Sequence, residues 1–290
     1  MKKFDGIFPA LLTPFDEAGN INHRALRELV EMNIAKGVSG FYVCGSTGEA
    51  FMLSTQERKS ILETVMDQVS GRCRVLAHIG HIACDTAIEL ARHADSLHVD
   101  AISSVSPFYY NFSFEEIKSY YFNIADSVSS PMIVYNFPAF SKVSLSADDI
   151  ACFFTDARFV ALKNTSSDFY LLERLKGKFP DKSYLNGFDE MFLSGLAAGA
   201  TGAIGSTFNF MAEKFIKIKA LFEQNDIDAA RTEQIRANNI IEALTKVGLM
   251  DGEKSILRMQ GIDFGNAHRP FHSLDSDEFA YLKSVYEENI

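Results

Sequence analysis

Lys163 stands where covalent chemistry is easiest to imagine. It closes the uncharged apolar run Phe159-Val160-Ala161-Leu162, and the polar cluster Asn164-Thr165-Ser166-Ser167 follows at once. An apolar run of that length bounded by turn formers reads as a buried strand. Lys163 then sits at the strand's carboxyl end with its stem in apolar surroundings. Lysine is seldom buried without a reason. One reading is a stem lying along the strand with its ammonium in solvent. The other is an amine nucleophile. Free lysine has a pKa near ~10.4, which leaves about one amine in 2500 neutral at pH 7. Burial or a nearby cation disfavours the ammonium and can move that value by several units. An amine shifted in this way attacks a carbonyl and forms a Schiff base.

Other groups could serve such an amine. Gly45-Ser46-Thr47-Gly48-Glu49 sets two hydroxyls between two glycines, which makes a small anion cradle or an ordinary tight turn. Tyr135, in Tyr135-Asn136-Phe137-Pro138, carries a phenol able to relay a proton or to act as a hydrogen-bonded core tyrosine. The aromatic cluster Pro107-Phe108-Tyr109-Tyr110-Asn111-Phe112 suits packing or an interface. Asp189 and Glu190, after Asn186-Gly187-Phe188, either cap the next helix or accept hydrogen bonds from a hydroxyl-rich substrate. Gly202-Ala203-Ile204-Gly205-Ser206-Thr207 is glycine-rich. No Lys or Arg lies nearby, and two acids stand just before it, so a neutral polyol fits better than a phosphate. His78 and His81 form H-x-x-H, and His268 and His272 form H-x-x-x-H. A metal needs three or four convergent ligands, and His78 lies inside a predicted strand while the other pair lies in the tail. No metal is expected, although a metal-dependent barrel hydrolase built on His78 and His81 is a distinct alternative.

These groups recur at the ends of short apolar runs. Strands are predicted over 6–12, 40–44, 74–79, 101–104, 132–136, 159–163, 183–186 and 203–206. Helices are predicted between them over 22–36, 54–70, 84–97, 113–128, 147–154, 169–179, 190–199 and 212–224. Ser54-Thr55-Gln56-Glu57 and Ser113-Phe114-Glu115-Glu116 are capping boxes, and Ser146-Ala147-Asp148-Asp149 is a close variant. Strand–helix units in series imply a parallel sheet with right-handed crossovers. The predicted fold is α/β, a (beta/alpha)8 TIM barrel over residues 1–225. An open doubly wound sheet usually carries a glycine fingerprint after its first strand, and this sequence has none. From about Ile227 the strands stop. Helices over 227–247, 253–261 and 276–289 form a C-terminal extension, residues 226–290, expected to pack on the barrel without a hinge. In such barrels the chemistry sits at the carboxyl ends of the strands, where the groups above are found.

Bulk properties narrow the partners. The 290 residues are 47% hydrophobic and carry a net charge of -10 with seven histidines taken as neutral. There is no basic run to meet nucleic acid or an anionic membrane. No long apolar segment suggests a leader or a membrane span. Four cysteines are scattered without a C-x-x-C pair, which suits free thiols in a reducing compartment. A cytoplasmic protein is expected.

The ordered motifs G-S-T-G-E at 45–49, P-F-Y-Y at 107–110, Y-N-F-P at 135–138, A-L-K-N-T-S at 161–166 and G-F-D-E at 187–190 together resemble the pyruvate-dependent class I aldolases, the dihydrodipicolinate synthase and N-acetylneuraminate lyase family. The likeness runs over nearly the whole chain. It implies a homotetrameric barrel with a C-terminal helical extension and no metal or organic cofactor. It implies that Lys163 forms the Schiff base and that Tyr135 shuttles the proton. Ser46 and Thr47 would hold the pyruvate carboxylate, and Tyr109 would reach into a neighbouring subunit to support Tyr135. Thr165, Gly187, Asp189, Glu190 and Ser206 would contact the sugar chain. Synthases of this family carry an arginine shortly after Y-N-x-P to pair with a second carboxylate. Phe140 stands at that place here. With Asp189 and Glu190, this points to the branch that splits a sialic acid into pyruvate and N-acetylmannosamine. An aspartate-semialdehyde or 2-keto-3-deoxy sugar acid aldolase is the alternative within the family, and a non-catalytic 2-oxo-acid sensor is the alternative outside it. Lys142 replaces the glycine usual after that motif and is expected to point to solvent.

Overall fold

The computed structural model describes residues 4–290. Its sheet comprises β1 (Gly6–Pro9), β2 (Gly40–Val43), β3 (Arg74–His78), β4 (Ala101–Val105), β5 (Met132–Asn136), β6 (Phe159–Asn164), β7 (Ser183–Asn186) and β8 (Gly202–Gly205). These eight strands run parallel in sequence order, and β8 pairs back onto β1. A bridge from Ala10 to Tyr42 joins β1 to β2. The Leu11 N–H donates to the Tyr42 carbonyl at 2.9 Å, and the Ser39 N–H donates to the Ile7 carbonyl at 2.9 Å. The ring is thereby closed, and the predicted barrel is the fold.

Both faces of each strand are buried, which is why the strands read as unbroken apolar runs. Phe8, Tyr42, Leu76, Ile133, Ala161 and Leu185 pack against one another inside the ring. Their alternates Ile7, Phe41, Ala77, Val134, Leu162 and Tyr184 pack outward against the helices.

The helices are α1 (His23–Ala35), α2 (Thr55–Val69), α3 (Cys84–Ser96), α4 (Phe114–Asp126), α5 (Pro138–Ser141), α6 (Ala147–Phe154), α7 (Phe169–Lys178), α8 (Phe192–Ala197), α9 (Phe208–Glu223), α10 (Ile227–Val247), α11 (Leu249–Met259) and α12 (Ser276–Asn289). The three predicted capping boxes form at the starts of α2, α4 and α6. The last three helices share the barrel's own core: Ile240, Leu244, Ile256, Leu257 and Leu282 are fully buried in it.

Strand β1 ends at Pro9 rather than Leu12, three helices start away from their predicted positions, and one helix was not predicted. Helix α9 starts at Phe208 rather than Ala212 and kinks at Met211 (φ -134, ψ 36). Asn209 anchors this extra turn, donating to the carbonyls of Ala10 (2.6 Å) and Ser206 (2.7 Å). Helix α8 starts at Phe192 after a 3₁₀ turn over Asp189–Met191, not at Glu190. Helix α11 starts at Leu249 rather than Glu253, straight after Gly248 at φ +104. Helix α5 was not predicted; Pro138 begins it, where a missing N–H costs nothing.

Candidate active site

Strand β6 aims Lys163 inward by means of a local irregularity. Met132 is paired with Phe159, but Ile133 is paired with Ala161, so Val160 is an extra residue in β6. Such a bulge resets which face the following side chains take. Beyond it, Lys163 lies beside Tyr135 in register, and both project into the mouth of the barrel.

Lys163 is 5% exposed. Its Nζ lies 4.0 Å from the centre of the Tyr135 ring and 4.3 Å from that of Tyr42. Among the described residues it forms no salt bridge. Burial lowers its pKa to about 7, and Asp189 opposes that shift through space. The amine is therefore substantially neutral near pH 7, and its stem does not carry it to solvent.

Tyr135 is buried as well, and burial pushes its phenol well above the ordinary range, while the neighbouring Thr165 and Ser46 hydroxyls pull the other way. At neutral pH it is a phenol, suited to passing a proton on rather than to standing as a base. His78 packs edge-on to its ring at 6.1 Å. The His78 Nδ1–H donates to the Cys44 carbonyl at 2.9 Å, and Nε2 accepts from the Val105 N–H at 3.4 Å, a tautomer assigned from these partners. Both ring nitrogens are thus taken. His81 accepts from the Ala83 N–H at 3.0 Å, and His272 pairs with Glu278 at 2.8 Å. The two histidine pairs are committed locally and do not converge.

The Ser46–Gly48 segment is a 3₁₀ turn directly after β2. Its glycines are needed for close approach. A Cβ on Gly45 would meet the Tyr42 ring at 2.7 Å, and one on Gly48 would meet the Leu11 carbonyl at 2.9 Å. Ser46 is exposed and Thr47 half-buried, and both face the cavity. Glu49 turns away from it. Its carboxylate accepts from Lys254 Nζ at 2.5 Å and from the His268 N–H at 2.7 Å. It bolts the turn to α11.

The opposite wall comes from β6, β7 and β8. A Cβ on Gly187 would sit 1.9 Å from Thr165 Oγ1, and one on Gly205 would sit 1.9 Å from Asp189 Oδ1. Thr165 Oγ1 is buried without a hydrogen-bond partner. Asp189 Oδ2 accepts from the Thr207 N–H (2.9 Å) and hydroxyl (2.7 Å), and burial raises its pKa to about 6. Glu190 is exposed at the rim.

Between these walls lies a cavity of about 570 Å³, within the ordinary range for a small-molecule site. Lys163, Tyr135, Ser46, Thr47, Thr165, Gly187, Asp189, Glu190 and Ser206 all line it. Tyr109 does not; its ring is 83% exposed on a backbone at φ +80. Phe140 stands at the rim with its ring 4.6 Å from that of Phe137. Lys142 is exposed, as expected, at φ +59, and its Nζ donates to the Ala139 carbonyl at 2.9 Å, capping its own turn. No arginine is among the residues lining the cavity. The sequence did not reveal that the tail contributes Met250, Asp251, Glu253 and His272 to the wall. A charged cluster in a short C-terminal helix reads as a solvated face, and nothing local marks it otherwise.

Chemically, the arrangement pairs a neutral amine with a phenol and a two-hydroxyl turn, beside a wall of polar acceptors. That suits imine formation on a 2-oxo acid bearing a hydroxylated chain. The sequence matches the dihydrodipicolinate synthetase family over residues 3–288. It is 41% identical over 283 residues to the N-acetylneuraminate lyase of Lactiplantibacillus plantarum, with 97% of each chain covered. The crystal structure of CdNal from Clostridium difficile in complex with mannosamine is similar at a TM-score of 0.97 and 39% identity, covering 100% of both chains. The N-acetylneuraminate lyase of Fusobacterium nucleatum complexed with pyruvate is similar at a TM-score of 0.94 and 36% identity, covering 99% of this chain and 97% of that one.

Proposed function

Since this chain belongs to the dihydrodipicolinate synthetase family, we propose that it is a class I aldolase, a carbon–carbon lyase that splits N-acetylneuraminate reversibly into pyruvate and N-acetylmannosamine. The observation that carries the reading is Lys163: an unpaired buried amine of lowered basicity, facing a phenol inside a polar-walled cavity. The N-acetylneuraminate lyases at about 40% identity over full length support the substrate, as does Phe140 in place of a carboxylate-pairing arginine.

The neutral Lys163 amine adds to the C2 ketone of the open-chain sugar acid, and loss of water gives a protonated imine. Tyr135 takes the proton of the C4 hydroxyl while handing its own phenolic proton to the substrate carboxylate. The C3–C4 bond breaks, its electrons pass into the imine, and N-acetylmannosamine leaves as the aldehyde. The enamine is protonated at C3, and water then releases pyruvate. Ser46 and Thr47 hold the carboxylate so that the ketone faces the amine, a positioning effect that can be worth several orders of magnitude in rate. Thr165, Gly187, Asp189, Glu190 and Ser206 receive the hydroxylated chain. Lysine itself forms the electron sink, so no step calls on a metal or an organic cofactor.

The proposal extends to the assembly. In a homotetramer, Tyr109 would reach a neighbour's site; its exposed ring within an aromatic loop supports that reading. Residues 1–225 are assigned to the catalytic barrel and 226–290 to an extension that completes the cavity wall. The four cysteines are free and no described helix is long and apolar enough to cross a membrane, which fits a cytoplasmic enzyme. The deciding experiment is pyruvate release from N-acetylneuraminate, run beside condensation of pyruvate with aspartate semialdehyde and cleavage of 2-keto-3-deoxy sugar acids. Release from N-acetylneuraminate alone is expected. Preference for either competitor would move the chain to another branch of its family.

A further inference from the structure

Glu253 is an acid that the reaction above leaves unused. It lies on α11, is wholly buried, and helps to wall the cavity that holds Lys163, Asp189 and Ser206. Neither carboxyl oxygen has a hydrogen-bond partner within 3.5 Å among the described residues, and the Ser206 hydroxyl acts on the acid only from beyond that distance. Lys254, next to it on the helix, is committed to Glu49 and to the Asn266 carbonyl. The helix cannot easily shift to relieve Glu253, because a Cβ at the preceding Gly252 would already sit 2.7 Å from Leu244. A buried polar group without a partner is costly, and this one is aimed at a substrate cavity.

We propose that Glu253 is a specificity-determining residue that hydrogen-bonds the hydroxylated chain of the sugar acid in the part of the cavity bounded by Ser206 and Asp189. The inference rests on the substrate reading above and deepens it. Burial pushes the acid up to about 8, with Asp189 adding to the shift while the Ser206 hydroxyl and Lys254 oppose it. Lys163, Tyr135, Glu190, Asp251 and His272 are the other titratable groups that wall the same cavity. Near neutral pH Glu253 is thus largely the protonated acid, able both to donate and to accept a hydrogen bond. As pH rises through about 8 it loses the donor and becomes an anion near Asp189, so binding of the chain weakens.

The test compares Glu253→Leu and Glu253→Gln with the wild type. Leucine removes both donor and acceptor in a similar volume, and KM for N-acetylneuraminate should rise about tenfold, while borohydride trapping of pyruvate on Lys163 stays at the wild-type level. Glutamine keeps a donor and an acceptor. Its KM should stay within about twofold of wild type, and it should lose the wild-type rise in KM above pH 8. A Glu253→Leu enzyme that traps pyruvate and keeps the wild-type KM overturns the contact alone. Should the leucine variant fail to fold, a Glu253→Gln enzyme that keeps the wild-type pH profile overturns it. A wild-type enzyme that traps pyruvate but leaves N-acetylneuraminate intact overturns the substrate reading, and this contact with it.

Discussion

Lys163 and Lys254 are both buried, both lie against aromatic rings, and both have basicity lowered chiefly by desolvation. Lys254 is nonetheless paired: its Nζ reaches Glu49 at 2.5 Å and the Asn266 carbonyl at 3.1 Å, over the Phe15 ring at 4.3 Å. Lys163 has rings at 4.0 and 4.3 Å and no carboxylate within pairing distance among the described residues. Burial lowers the basicity of either amine. What separates a strut from a nucleophile is whether a carboxylate stands against the amine and opposes the loss of its proton. Glu49 does so at 254, tying the Ser46–Gly48 turn to α11. At 163 the amine faces the cavity, with Asp189 acting on it only at a distance.

The contrast breaks most visibly at the amine itself. Lys163→Ala should lower kcat by more than about four orders of magnitude, as loss of a covalent nucleophile does, with no fall in melting temperature. Tyr135→Phe should lower kcat by about 10²- to 10⁴-fold and move KM far less; the opposite pattern in steady-state kinetics would make Tyr135 a binding group. Lys254→Met should leave Glu49 buried and unpaired at a cost of about 3–5 kcal/mol, read by denaturant unfolding. Adding Glu49→Leu to it should restore most of that loss. The pH dependence sharpens the same difference. The reactive form of Lys163 is the free amine, so kcat/KM should rise with pH through about 7 and fall again above about 8, where Glu253 ionises and KM rises. Stability should follow the same group. Its folded pKa of about 7 lies below the ordinary lysine value of 10.5, so between these values the unfolded chain holds a proton that the folded chain lacks. Stability from this group therefore rises with pH across that window, and Lys163→Met should abolish the rise. The smallest effect belongs to Lys142→Ala, expected within about twofold of wild type in kcat/KM because an exposed turn contact contributes little.

The parts of the fold written in neighbouring residues could be read from the sequence. Strands buried on both faces announce themselves as apolar runs, and Ser54, Ser113 and Ser146 mark helix starts through contacts three residues away. The groups that the barrel itself contributes to the cavity could be found because each closes or follows a strand. What could not be read depends on distant partners. The extra residue at Val160 exists only relative to β5. The early start of α9 depends on Asn209 meeting Ala10, far back in the chain. Glu49 looks like part of an anion cradle until Lys254, 205 residues away, is placed against it. Glu253 lies in the Asp251-Gly252-Glu253-Lys254 stretch, whose charges look solvated and are in fact buried.

The account stands on Lys163 rather than Lys254 being the reactive amine. Reduction with borohydride in the presence of pyruvate, followed by peptide mass mapping, tests this directly. The expected result is a reduced pyruvyl adduct on the peptide carrying Lys163 and an unmodified Lys254. An unmodified Lys163, or an adduct on any other lysine, would contradict it.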